Sequence, residues 1–264
     1  MMGGIGLLGL GGCELLIAPA AVYSAVHAPD PLSKAYVLLR RNDCSAADAE
    51  FTAFLATQPN ELRAISGKAD AMICLGRYDD AIAAYSHAIE LDPKWFDYLG
   101  RGVAYKAKGD LTKAMQNFDS GIAIKPNDPG LYIYRGAVLS RQGDQSAARA
   151  DFDKVSSLFL DKPRMFNAYG WSLATSPISA YRDGPAAIEY ATRACELTSW
   201  KRSLVLDTLA AAYAEYGKFD EAVKWQTSAL ELDGKANDKD YEARLAMYRR
   251  REPFRGQFLS MGFY

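Results

Sequence analysis

Across residues 95–128 apolar positions recur at intervals of four and three: Tyr98, Gly102 and Tyr105 in a first run, Ala114, Phe118 and Gly121 in a second. Gly109 separates the runs and Pro126 follows them. That periodicity predicts two antiparallel helices of about 12–15 residues joined by a tight turn. The small members mark a close crossing. Gly102 and Gly121 sit where the backbones approach and Ala114 where anything beyond a methyl would collide, while Tyr105 and Phe118 fill the space between. Enlarging a residue at such a crossing costs about 1–3 kcal/mol. Helices this short are marginal in water, and neither buries its apolar stripe alone, so the pattern also predicts stacking against like neighbours.

Those neighbours are present. Residues 62–94 carry Ala69, Gly76, Tyr78, Ala81, Tyr85, Ala88 and Pro93 in register, and residues 129–162 carry Tyr132, Gly136, Gly143, Ala148, Phe152, Val155 and Leu158. Residues 203–234 match through Leu206, Ala210, Tyr213, Gly217, Phe219, Ala222, Ala229 and Leu232. A faint first copy spans residues 29–61, with Ala35, Ala47, Phe51 and Phe54, as expected of a terminal cap. Residues 163–202 begin regularly with Phe166, Tyr169, Gly170 and Leu173, then lengthen at 176–184, where proline and glycine bracket an insertion expected to project as a loop. Residues 238–251 predict a polar-faced capping helix carrying Leu245, Met247 and Tyr248, followed by a tail at 252–264.

The pattern resembles the tetratricopeptide repeat family. The resemblance implies an all-α, right-handed superhelical solenoid of about six helix-turn-helix repeats over residues 29–251, closed by the C-terminal helix. Arg101-Gly102 and Arg135-Gly136 occupy equal positions and resemble a bacterial subtype, in which the arginine is expected to pair with local acids such as Asp151. In the family the first helix of each repeat lines a concave groove. Carried onto this chain, the groove positions are Arg63, Ser66, Asp70 and Ile73; Phe96, Leu99, Val103 and Lys106; Ile133, Ala137 and Arg141; Asn167 and Trp171; and Leu204, Asp207, Ala211 and Glu215. The carboxylate clamp of some family co-chaperones is absent, because Ser66, Asp70, Gly100, Gly130 and Tyr134 stand at its positions. The expected function is a non-enzymatic adaptor that holds a partner protein or peptide in the groove through apolar anchors such as Phe96 and Trp171. The alternative is an accessory subunit of a membrane-associated assembly, contacting partners through its edge, residues 176–184 or the C-terminal helix.

Composition narrows the chemistry. A net charge of -1 with no long basic tract argues against nucleic acid as a partner. Two histidines and scattered cysteines supply no metal constellation, no cofactor-binding signature occurs, and no catalytic motif is found. Cys44 opens the second helix of the first repeat and Cys74 closes the first helix of the next. Should their Cα atoms lie within about 4.4–6.8 Å, an oxidising compartment would bridge them; otherwise they are two small buried apolar residues.

Residues 1–28 contain one charge, Glu14, and no lysine or arginine. Leu10-Gly11-Gly12-Cys13 resembles the bacterial lipobox, which implies lipidation of Cys13 and membrane attachment. Ala18-Pro19-Ala20 equally offers a signal-peptidase site, a glycine-rich anchor is a third reading, and a leader without a role is a fourth. The first three place the repeats outside the cytoplasm, exported, periplasmic or membrane-anchored at the cell envelope; the last leaves them cytoplasmic.

Overall fold

The computed structural model describes residues 32–158, 162–232 and 238–256. The leader, with Cys13, and the end of the tail lie outside the described residues.

Five of the six helical hairpins turn on a residue with left-handed backbone. Gly76, Gly109, Gly143 and Gly217 have φ between 74 and 87°, and Asn42 takes the same role in the first hairpin at 59°. Glycine adopts this conformation without strain and asparagine tolerates it, so these positions end one helix and launch the next. The following residue caps the new helix in several repeats: Asp43, Asp110 and Asp144 each accept a hydrogen bond from a backbone N–H in the first turn.

The hairpins so formed are α1 (Ser33–Arg40) with α2 (Cys44–Thr57), α3 (Leu62–Cys74) with α4 (Tyr78–Leu91), and α5 (Trp95–Lys108) with α6 (Leu111–Ile124). They continue with α7 (Pro129–Arg141) and α8 (Gln145–Ser157), α9 (Lys162–Thr175) and α10 (Gly184–Leu197), and α11 (Ser203–Glu215) and α12 (Phe219–Glu231), before α13 (Lys239–Arg249). Among the described residues there is no strand, and the fold is an all-helical solenoid.

The small residues sit where helices cross. A Cβ on Gly102 would overlap the Phe118 ring, and one on Gly121 would stand 2.5 Å from Leu131 Cδ2 and 3.3 Å from the Trp95 carbonyl oxygen. A Cβ on Gly170 would meet main chain more closely still, 3.1 Å from the Ala191 nitrogen, so α9 and α10 pass backbone to backbone. α10 also leans on the preceding hairpin: Tyr190 meets Phe152 edge-on with centroids 4.8 Å apart, and Arg193 pairs with Asp153 at 2.5 Å.

The core is continuous from α3 to α13, whereas α1 and α2 gather a smaller cluster of Leu32, Tyr36, Leu39 and Phe51 against Ala64 and Ala71 of α3. Several links tie that terminal hairpin on, among them the Asp48 to Arg77 ion pair at 2.9 Å. The Tyr36 hydroxyl donates to the Arg63 carbonyl at 2.6 Å, and Cys44 and Cys74, with Cα atoms 6.0 Å apart, form a disulfide between α2 and α3. At the other end Arg244 of α13 donates to Asp207 of α11 at 2.7 Å.

Candidate functional site

The first helices of successive hairpins line the inner face, and the segment joining α9 to α10 lies across it. The expected projecting loop is corrected: residues 176–183 fold back onto α3 and α5 around a 3-10 turn, Ser179–Tyr181. Ile178, Ala180 and Tyr181 are all buried, and burying these apolar side chains is favourable in a way that a projecting loop cannot match. Tyr181 lies against Tyr134 of α7, with ring centroids 6.2 Å apart. The Ser179 and Tyr78 hydroxyls are 3.4 Å apart. Arg182 and Asp183 are extended, and the Arg182 guanidinium is held by Glu215 at 3.0 Å and by the Ser176 carbonyl at 2.9 Å.

Lys106 anchors this segment. Its ammonium is buried, stands 3.8 Å from the Asp183 carboxylate and 5.2 Å from the centre of the Tyr134 ring, and donates to the Arg182 carbonyl at 3.5 Å. Burial pushes the ammonium below its usual pKa, and Asp183 opposes that shift. The same Asp183 caps α10 by accepting from the Ala186 N–H at 3.1 Å. Removing one member of a buried pair leaves the other charge uncompensated, so Lys106 and Asp183 depend on each other.

Deeper in the face two carboxyls are held away from water. Burial pushes Asp70 up to about 7, against the hydrogen bond it accepts from the Tyr85 hydroxyl. Asp97 rises to about 6, again through burial, although Ser66 donates to it at 2.6 Å. Four polar atoms here have no hydrogen-bond partner among the described residues: Asp70 Oδ2, the Tyr134 hydroxyl, Asn167 Oδ1 and Trp171 Nε1. Buried polar groups are ordinarily paired, so each of these four marks a missing hydrogen bond, as do the side chains of Tyr190, Trp225, Gln226 and Tyr248 elsewhere in the fold.

Most of the expected groove positions are enclosed. Ser66, Asp70, Leu99, Val103, Lys106, Ile133, Asn167 and Trp171 are buried by the fold itself. Arg63 and Phe96 are half-buried and Arg141 is exposed. Trp171 lies beneath the chain's own tail, 5.7 Å from Phe254 and 5.4 Å from the Arg244 guanidinium, between ring centres and cation respectively. The tail is fixed there by the Gly256 N–H donating to the Thr175 carbonyl at 2.9 Å and by Arg255 pairing with Glu215 at 2.7 Å. Arg135 pairs with Asp151 and Asp119, as acids were expected to serve, but Arg101 donates instead to the Asn117 side chain and Ser86. Tyr181 and Asp183 were not among the sequence-derived site residues; the alternation Ile178, Ala180 with Tyr181 adjoining was the signal that this insertion has an apolar side.

Among the described residues no group of three or more histidine, cysteine or carboxylate side chains is placed to hold a metal, and no helix is long and apolar enough to cross a membrane. Cys195, the cysteine outside the disulfide in that set, is buried, and burial lifts its thiol to about 12, far from reactive thiolate.

A family profile described as "Tetratricopeptide repeat" matches residues 32–94 and one described as "TPR repeat" matches residues 102–143. Among curated proteins, the chain is 26% identical over 136 residues to a tetratricopeptide repeat and J domain-containing co-chaperone of Cryptococcus neoformans, covering 49% of this chain and 26% of the relative. It is 30% identical over 86 residues to the Hsp70-Hsp90 organizing protein of Triticum aestivum, covering 32% and 15% respectively. The chain thus spans a small part of these relatives. Among solved structures, the TPR protein TTC0263 of Thermus thermophilus superposes with a TM-score of 0.51 at 20% identity, covering 83% of this chain and 97% of that one. The Cut9 and Hcn1 hetero-tetramer gives a TM-score of 0.52 at 22% identity, covering 82% and 42%. Both likenesses concern the fold.

Proposed function

The chain belongs to the tetratricopeptide repeat family, whose members commonly serve as protein-binding scaffolds, and we propose that it is a non-enzymatic adaptor taking a partner segment on the face of α3, α5 and α7. One observation carries this reading: that face already holds a stretch of polypeptide from elsewhere in the chain, residues 176–183, a 3-10 turn that runs into extended backbone at Arg182 and Asp183, through side chains of successive first helices. A surface shaped to one such segment is suited to another of like chemistry, which is the way many groove-binding domains take peptides.

The test is a crosslinked pull-down from the native host with wild type and a Phe96→Glu, Arg141→Glu variant. These residues retain exposure at the rim, so the substitutions leave the core intact, and circular dichroism checks that both proteins are folded. Loss of a specific partner from the variant is the expected result. Retention of every partner would move the contact away from the groove, to exposed apolar residues such as Leu197 and Trp200, and would favour the accessory-subunit reading.

We propose further that the protein works at the bacterial cell envelope after export. The Cys44 to Cys74 disulfide supports this, since such bonds persist in oxidising compartments and are rare in the cytosol. The apolar, lysine- and arginine-free residues 1–28, with Cys13 as a lipidation site, agree with it. Alkylation of freshly isolated protein tests it: both cysteines should resist labelling until reduced. Free thiols at 44 and 74 would place the protein in a reducing compartment.

A further inference from the structure

We infer that residues 176–183 are a pseudo-ligand: they occupy the concave face in place of a partner and reveal its recognition chemistry, a segment bearing a tyrosine followed two residues later by aspartate. The inference rests on the adaptor reading and deepens it.

Three features of the face specify that chemistry. Tyr181 fills an aromatic and acidic recess beside Tyr134, close enough to Asp70 for the two to interact electrostatically. Lys106 is a buried cation whose neighbouring carboxylate is Asp183, and a buried ammonium demands an anion in reach. The backbone between them is extended and offers its Arg182 carbonyl to the same ammonium. Tyrosine, main-chain carbonyl and carboxylate are thus read together by α5 and α7.

The occupant is also an incomplete match. Asp70 Oδ2 and the Tyr134 hydroxyl remain unpaired beneath it, and Asn167 Oδ1 and Trp171 Nε1 are unpaired farther along, although all four residues are more than nine-tenths buried. An extended peptide brings one N–H and one carbonyl per residue, the donors and acceptors these atoms lack. The internal segment cannot supply more of them, because it must also close the connection between α9 and α10: the Asp183 N–H is committed to the Leu173 carbonyl and its carboxylate to the α10 cap. A free partner carries no such constraint. It competes by satisfying groups that the tethered segment leaves bare, while the tether gives the segment a high effective concentration.

The experiment uses full-length protein and a fluorescein-labelled synthetic peptide of residues 176–184. Binding is followed by fluorescence anisotropy for wild type, Tyr181→Ala and Asp183→Asn. The second variant keeps an α10 cap, because asparagine caps as well as aspartate, and so reports if the first does not fold. Either folded variant should bind the peptide at least tenfold more tightly than wild type. Replacing tyrosine or aspartate in the peptide, or adding Lys106→Met to the released protein, should each weaken binding at least tenfold. Equal peptide affinity for wild type and released variants, absence of binding to both variants, or indifference to the tyrosine and aspartate would each overturn the inference. Because purified components are used, such a failure is distinct from failure of the pull-down, which concerns whether a host partner uses the face at all.

Discussion

Asp70 shows how much of this molecule is decided atom by atom. It sits on α3 at a position that family resemblance marks as groove, yet it is almost fully enclosed, donated to by Tyr85 of α4, and faces the negative Asp97 of α5 and the Tyr181 phenol. A carboxyl whose pKa is higher folded than unfolded keeps a proton in the native state that the unfolded chain has already released. Stability therefore falls as pH rises from about 4, the unfolded value, through about 7 for Asp70 and about 6 for Asp97. Denaturant unfolding at pH 5 and pH 8 should show the lower midpoint at pH 8. Asp70→Asn keeps an acceptor for Tyr85 without the buried charge. It should flatten that dependence and add about 1–3 kcal/mol at pH 8; an unchanged slope would contradict the assignment. Sequence alone placed Asp70 on the inner face but gave no sign of its enclosure, because the enclosing Tyr181 comes from a segment more than a hundred residues away. By contrast the crossing glycines were legible, since Gly102 and Gly121 need only their local hairpin and its neighbour to explain them.

At the scale of elements, helices followed from local rules and their decorations did not. Glycine or asparagine at the turn, aspartate after it in three cases, and four-three spacing of small and large residues specify five of the hairpins with information confined to some thirty residues. The insertion between α9 and α10 has no left-handed turn residue and keeps only the capping aspartate, Asp183. Proline and glycine announce a break in helix, but where such a segment comes to rest depends on apolar residues meeting surfaces built by α3, α5 and α7. The tail is similar: Phe254 is aromatic in sequence, and only its seat on Trp171 makes it part of the inner face. The disulfide lies between these extremes, suggested by helix position and dependent on a distance. It closes a sequence separation of 30 and joins a terminal hairpin whose own core is small. In the chain-entropy picture that closure is worth about 3–4 kcal/mol. Reduction should therefore lower the thermal stability of α1 and α2 selectively, read by hydrogen exchange as faster opening of residues 33–57 with α5 to α13 little changed. Uniform loss across the chain would contradict the view of that hairpin as a separately held cap.

For the whole molecule, the solenoid is a scaffold that has partly filled its own concavity. Linear repeat proteins owe their stability to neighbouring repeats, so their inner surfaces are not obliged to be covered. Here the fifth hairpin contributes a segment to the surface of the second, third and fourth, and the end of the chain covers the fifth and sixth. Long-range closure of this kind stiffens the solenoid and makes access to the groove conditional on moving the segment. The most direct measurement introduces Tyr78→Cys and Ser179→Cys at two residues whose native hydroxyls are 3.4 Å apart, bridges the two thiols of the full-length protein with a reductively cleavable bis-maleimide whose linker replaces the length lost with the tyrosine ring, and maps crosslinks by mass spectrometry before repeating the host pull-down. The predicted result is an intramolecular crosslink between positions 78 and 179 that abolishes partner capture, with capture restored on reduction. Failure to form the crosslink in folded protein, or undiminished capture by the locked form, would contradict a groove held by its own insertion.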